Sequence, residues 1–191
     1  ASGKTAEVST GIKEIGSIRL FDLDGDGAKE IYLDGKDADG QAITCAAFYS
    51  AAETQPLHLA LFDSQSYAFG TIKDFSDGKL VVDNEMNILG TYKVKNVYTL
   101  ADKSFSKASG DIVFDNNTTY VTTTKSITLS NGSLLATGTK LRFTSTDGSS
   151  VINFVTDGGF TGSIPIASSG SGWTISGQPD TSYFTSLPYK N

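Results

Sequence analysis

The stretch Phe21-Asp22-Leu23-Asp24-Gly25-Asp26-Gly27-Ala28-Lys29-Glu30-Ile31 decides how this chain is read. Aspartates stand at alternate positions, 22, 24 and 26, with Gly27 directly after them and Glu30 four residues past Asp26. A hard cation such as calcium takes roughly six to eight oxygens at about 2.3–2.6 Å. Alternate carboxylates on a tightly curled loop converge, and Gly27 has the backbone freedom to let it curl. The expected ligand set is the side chains of Asp22, Asp24 and Asp26, the Ala28 carbonyl, and Glu30. The competing reading is an acidic surface turn that holds no metal. An EF-hand would need a glutamate at the twelfth loop position, where Leu33 stands, so the loop is not of that kind. Its flanks, Ser17–Phe21 and Glu30–Leu33, alternate like strands. The loop is therefore expected to close a hairpin, with calcium holding it shut.

These same residues resemble the calcium loop of FG-GAP and VCBS-type repeats, which occur in integrin-like β-propellers and bacterial surface proteins. The resemblance implies a structural metal between two strands of a blade, held by Asp22, Asp24, Asp26, Ala28 and Glu30. A complete propeller would show several such loops and this chain shows one, so the expectation is a meander or a partial propeller.

Composition narrows the rest. Hydrophobic residues make up 38% and charged residues 19% of 191, which fits a folded globular chain. A net charge of −6 argues against nucleic acid as a partner, since phosphate binding needs basic patches. The apolar runs, such as Leu59–Phe62, are too short to span a bilayer. No signal peptide leads the chain, which does not exclude export. One cysteine forbids an internal disulfide, and one histidine removes nearly every zinc geometry. Twenty glycines against four prolines, with abundant serine and threonine, suggest many short strands.

Along the chain, residues 1–16 read as a small, polar start. Strands are expected at Ser17–Phe21, Glu30–Leu33, Gln41–Tyr49, Leu57–Phe62, Tyr67–Ile72, Lys79–Val82, within Ile88–Leu100, and at Asp111–Phe114. Ile43–Ala52, ambiguous because alanine favours helix, is read as strand. Asp34-Gly35, Asp39-Gly40 and Asp77-Gly78 each signal a hairpin turn. Asp34, Asp37 and Asp39 invite a second metal reading, but they lack the regular spacing and are better taken as solvated hairpin tips.

Residues 1–118 hold 18 acidic and 11 basic residues, a balance of −7, whereas 119–191 hold 3 and 4, a balance of +1. The domain boundary is therefore expected at 118/119, in the loop Asp115–Thr118. In the second part, strands are expected at Tyr120–Leu129, Thr139–Thr144, Val151–Val155, Phe160–Ile166 and Trp173–Ile175, which suits a small closed barrel. Thr139–Gly148, Gly159–Ile164 and the ending Tyr183–Tyr189 resemble bacterial SH3-like domains of secreted clostridial-type proteins.

Catalysis finds little footing. Cys45 and His58 are the sole thiol–imidazole pair, and both sit in apolar strands. No Gly-x-Ser-x-Gly elbow appears in a strand-to-helix setting, and the paired acids are already used by the metal reading. Trp173, Tyr183, Phe184 and Tyr189 could stack on a ligand, but core packing is the simpler reading. The expectation is an all-β, non-enzymatic, calcium-binding protein, secreted or on a bacterial surface. Its ligand would be a cell-wall polymer, a glycan or a protein. The alternatives are an accessory part of a secreted hydrolase and a structural spacer.

Overall fold

Turn-forming residues recur every few positions, and all but two strands are eight residues or shorter. The computed structural model describes residues 6–50, 56–170 and 172–190. Among them there is no α-helix, only a single 3-10 turn at Asp180–Ser182. The fold is all-β, as expected. Two compact units can be distinguished. One runs up to Asn84 and includes Asn96–Ala108; the other comprises Glu85–Lys95 and the chain from Ser109 onward. Residue 118 thus lies inside the second unit. Phe114 bridges Val94, and the Asp115 N–H donates to the Lys93 carbonyl at 2.8 Å, so 109–118 pairs within that unit.

The first unit contains β1 (Glu14–Phe21), β2 (Glu30–Lys36), β3 (Ala42–Tyr49), β4 (Leu57–Leu59), β5 (Leu61–Phe62), β6 (Ala68–Phe69) and β7 (Thr71–Ser76). It also takes most of β8 (Lys79–Asn87) and β9 (Thr91–Ala101), and all of β10 (Ser104–Lys107). One sheet has the order β1-β2-β3-β4, with β6 also on β3; the other runs β5-β10-β9-β8-β7. β1-β2-β3-β4, β3-β6, β10-β9 and β7-β8 pair antiparallel, whereas β10 and β5 run parallel. The expected strand across Ile43–Ala52 is β3 as far as Tyr49; residues 51 and 52 lie outside the described part. Tyr32 and Phe48 from one sheet meet Leu80, Val82, Tyr98 and Phe105 from the other in a single core. Phe62 stacks on Phe105 with ring centres 4.5 Å apart. Fully burying side chains of this size stabilises by about 1.5–3 kcal/mol each, so this core carries the unit.

Two hairpin expectations hold and one does not. Asp77-Gly78 links β7 to β8 with φ of 51° and 68°, the left-handed pair that a two-residue turn requires. Asp39-Gly40 lies in the turn between β2 and β3. Asp34-Gly35, by contrast, lies within β2, and Asp34 is buried. Its Oδ1 accepts from the Thr44 hydroxyl at 2.6 Å and from the Ile72 N–H at 2.8 Å. Its Oδ2 accepts from the Ser17 hydroxyl at 3.1 Å and lies 3.7 Å from the Arg19 guanidinium. Asp34 is thus no solvated tip: one carboxylate ties β1, β2, β3 and β7 together. Gly35 is needed for a different reason, since a Cβ there would stand 2.4 Å from the Glu14 carbonyl oxygen.

The second unit contains β11 (Ile112–Val113), β12 (Val121–Thr122), β13 (Ile127–Thr128), β14 (Leu134–Leu135) and β15 (Lys140–Thr146). It continues with β16 (Val151–Thr156), β17 (Thr161–Pro165), β18 (Ala167–Ser169), β19 (Gly172–Ile175) and β20 (Gln178–Pro179). One sheet has the order β11-β15-β16-β17, with β12 also on β15; β13-β14 and β18-β19-β20 are separate. The closed barrel expected here is not formed among the described residues. The expected strand Tyr120–Leu129 breaks after Thr122, where the chain leaves the ladder. The Thr124 N–H donates instead to the Tyr183 carbonyl at 2.8 Å. The core gathers Phe143, Phe154, Ile152, Leu141 and Ile164 with Phe114 and Phe184.

Removing the Asp34 carboxylate leaves the Ile72 N–H without its acceptor and the buried Thr44 hydroxyl with only the Gly70 carbonyl, 3.0 Å away. Asp34→Ala is expected to cost roughly 2–4 kcal/mol in urea unfolding, and Asp34→Asn, which keeps one acceptor oxygen, clearly less. Equal, small losses for both would show that the carboxylate does not hold these strands.

Candidate metal centre

The acidic stretch forms the tip of the β1–β2 hairpin, as its alternating flanks suggested. Phe21 and Glu30 are register partners, so residues 22–29 form the connection. Gly25 and Gly27 take φ of 75° and 90°, conformations that a side chain would resist. The carboxylates build the loop they stand on. Asp22 accepts from the Gly25 N–H at 2.8 Å with Oδ1 and from the Gly27 N–H at 3.0 Å with Oδ2. Asp24 accepts from the Asp26 N–H at 3.2 Å, and Asp26 from the Ala28 N–H at 2.7 Å. Short acidic side chains commonly satisfy nearby backbone donors in this way.

Glu30 anchors the arrangement from below. It is buried, and its Oε2 accepts from the Leu23 N–H at 2.9 Å and from the Tyr32 hydroxyl at 3.1 Å. Burial raises the Glu30 carboxyl above its ordinary value, and the charges of Asp24 and Asp22 add to the rise, while its two donors oppose it. Burial, together with the neighbouring Glu30, likewise raises the Tyr32 phenol. One oxygen from each of Asp22, Asp24, Asp26 and Glu30 lies within 4.8 Å of the others. The four acids named from sequence are therefore brought together, and the group could hold a metal ion. Ala28 sits on the same loop, tied to Asp26 through its N–H.

Asp37, raised with Asp34 and Asp39 as a second site, spends one carboxylate oxygen on the turn. Its Oδ1 accepts from the Asp39 and Gln41 N–H groups, both at 2.9 Å. Asp34 faces the core from β2, so the three do not converge. Asp34 is also the residue that sequence reasoning misplaced. No short-range signal marks it, since an aspartate directly before a glycine reads as a turn.

Cys45 is fully buried in β3, its thiol donating to the Thr10 carbonyl at 3.2 Å. Burial pushes that thiol up to about 11, with Asp34 adding to the rise, the opposite of an activated nucleophile. The register sets His58 opposite Phe48 rather than Cys45. Of the C-terminal aromatics, Tyr183 and Phe184 are buried and Trp173 packs against the same core. The Trp173 indole N–H donates to the Asn87 carbonyl at 2.9 Å. Tyr189 stays more open, its hydroxyl donating to Asp180.

No protein-family model, curated protein or solved structure matches the chain.

The raised Glu30 carboxyl has a definite pH consequence for the metal-free protein. Because the folded state holds that proton more tightly than the unfolded chain, the contribution to stability is full below the ordinary value of 4.5. It is lost as pH rises through the higher folded value. In chelator, urea unfolding of the wild type between about pH 4 and pH 8 should lose stability relative to Glu30→Gln, which cannot titrate. Parallel curves for the two would show that Glu30 has no raised value.

Proposed function

We propose that this is an exported, calcium-stapled binding module of a bacterial surface or secreted protein, with calcium at residues 22–30 serving structure rather than chemistry. The observation that carries the reading is the convergence of four carboxylate oxygens within 4.8 Å on one hairpin tip. Two oxygens on opposite sides of one calcium ion stand about 4.6–5.2 Å apart, so the cluster is compatible with a single such ion. Asp22, Asp24, Asp26 and Glu30 would supply carboxylate oxygens and Ala28 its carbonyl. An all-oxygen set on a glycine-containing loop suits calcium, whereas magnesium demands a tighter octahedron and keeps its waters. Like charges this close repel, and a cation that neutralises them strengthens the folded hairpin. The resemblance to FG-GAP and VCBS-type loops points the same way, as does the calcium-rich setting outside cells. The proposed partner is a cell-wall polymer, a glycan or a protein. Cys45 and His58 are left to structural roles.

A ligand that binds the native loop and not the unfolded chain stabilises by RT ln(1 + [L]/Kd), about 2.7 kcal/mol at a concentration 100 times Kd. Calorimetric titration of chelator-treated protein is expected to give calcium binding much tighter than magnesium binding. Calcium should raise the melting temperature of the wild type, and Asp24→Ala should lose most of that response. Identical wild-type melting curves in calcium and in chelator would overturn the structural role. Retention on peptidoglycan, on a glycan array or on host protein would separate a binder from a spacer.

A further inference from the structure

Among the described residues, the strand that leads into the acidic loop is the most exposed apolar segment of the first unit. Ile15, Ile18 and Leu20 on β1 are 61%, 60% and 61% exposed. β1 is an edge strand, and among the described residues its outer side pairs with no other strand. Ile18 and Leu20 stand opposite Leu33 and Ile31 of β2, so one face of the hairpin carries an aliphatic band two strands wide. The other face is anchored. The Ser17 hydroxyl donates to Asp34, Arg19 donates to the Ile72 carbonyl at 3.3 Å, and Phe21 stacks on Phe75 at 4.6 Å. β1 is thus held firmly from behind while its edge and its aliphatic face stay open.

Edge strands are usually protected by lysine, proline or bulges that turn them away. β1 contains neither lysine nor proline, the charge of Arg19 is turned to the anchored face toward Asp34, and the one irregularity, between Ile15 and Ser17, leaves Ser17–Phe21 regular. An anchored edge with an open aliphatic face is what an added strand requires: backbone donors and acceptors supply affinity, and alternate side chains supply selection. The charge at its end defines the ligand further. β1 runs directly into Asp22, Asp24 and Asp26, so a strand laid along it meets a concentration of negative charge at that end.

We propose that the β1 edge is a docking site for an extended peptide segment with alternating aliphatic side chains and lysine or arginine at the end beside residues 22–26. The inference deepens the binding reading above by naming the surface and the ligand class. Four ionised carboxylates keep a net negative charge with one divalent cation among them, so the preference for a basic end should persist in calcium and be stronger in chelator.

The test uses a fluorescein-labelled peptide, Thr-Ile-Thr-Val-Thr-Ile-Lys-Lys, measured by anisotropy in chelator and in calcium and mapped by amide NMR shifts. Binding is expected with shifts concentrated at 14–21, and a Glu-Glu ending in place of Lys-Lys should weaken it severalfold. The exposed substitutions Ile18→Thr and Leu20→Thr, combined, keep strand-forming residues and should fold normally. They should weaken binding by at least about tenfold, as expected when two aliphatic side chains no longer leave water. Absence of binding, shifts elsewhere, or equal binding by the acidic peptide would overturn the proposal. A dimer of the protein alone that dissociates in the double variant would assign the edge to a second copy instead, and would also overturn it. Calcium titration of the same samples reads the metal site separately, so failure of one is distinguishable from failure of the other.

Discussion

A buried carboxylate, that of Glu30, joins the acidic loop to the core of the first unit. It receives the Leu23 N–H from the start of the loop and the Tyr32 hydroxyl from the strand beyond it. Leu23 and Tyr32 are themselves core residues. The loop is consequently built into the packing of the unit rather than added to its surface. A buried acid is costly unless it is hydrogen-bonded, and here both bonds come from core residues at the two ends of the loop, while Asp22, Asp24 and Asp26 are held by loop N–H groups.

The first unit uses a second acid in a different way. Asp34 offers both oxygens to four donors on three elements besides its own, among them the Ile72 N–H and the Thr44 hydroxyl, which it shares with the Gly70 carbonyl. Glu30 and Asp34 both lie on β2, and both are buried. One organises the loop at the end of the hairpin and the other clamps the strands around it. This division explains why β1, exposed along its edge, is nevertheless fixed: Ser17 and Arg19 reach Asp34, and Phe21 closes over Phe75.

In the second unit, local turn chemistry does more than strand length. Asp147 accepts from the N–H groups of Ser149, Ser150 and Val151, and Thr146 accepts from the Gly148 N–H, so the β15–β16 turn is specified by its own side chains. Against the slight burial at Asp147, the Ser150 hydroxyl and these three N–H groups hold its carboxyl well below the usual range. The β12–β15 pairing runs one step past Thr122, where the Thr123 N–H meets the Thr139 carbonyl in register, and then the Thr124 N–H turns to Tyr183. A continuous barrel would need Tyr120–Leu129 to pair along its whole length, and from Thr124 the chain bonds to Tyr183 instead.

The sequence by itself determined the all-β class, the hairpin at 17–33 and the set of acids at its tip, because each follows from short-range rules. Alternation sets the strand faces, glycine permits the curl, and aspartates two apart meet on a tight loop. It also indicated that Cys45 and His58 would serve as strand residues. The tertiary structure alone decided the role of Asp34, since a carboxylate beside a glycine reads as a turn until the strands that surround it are known. It likewise decided the open sheets of the second unit and the membership of 85–95 in that unit. Pairing across long separations depends on which backbone groups find partners first, and local propensity carries no record of that choice.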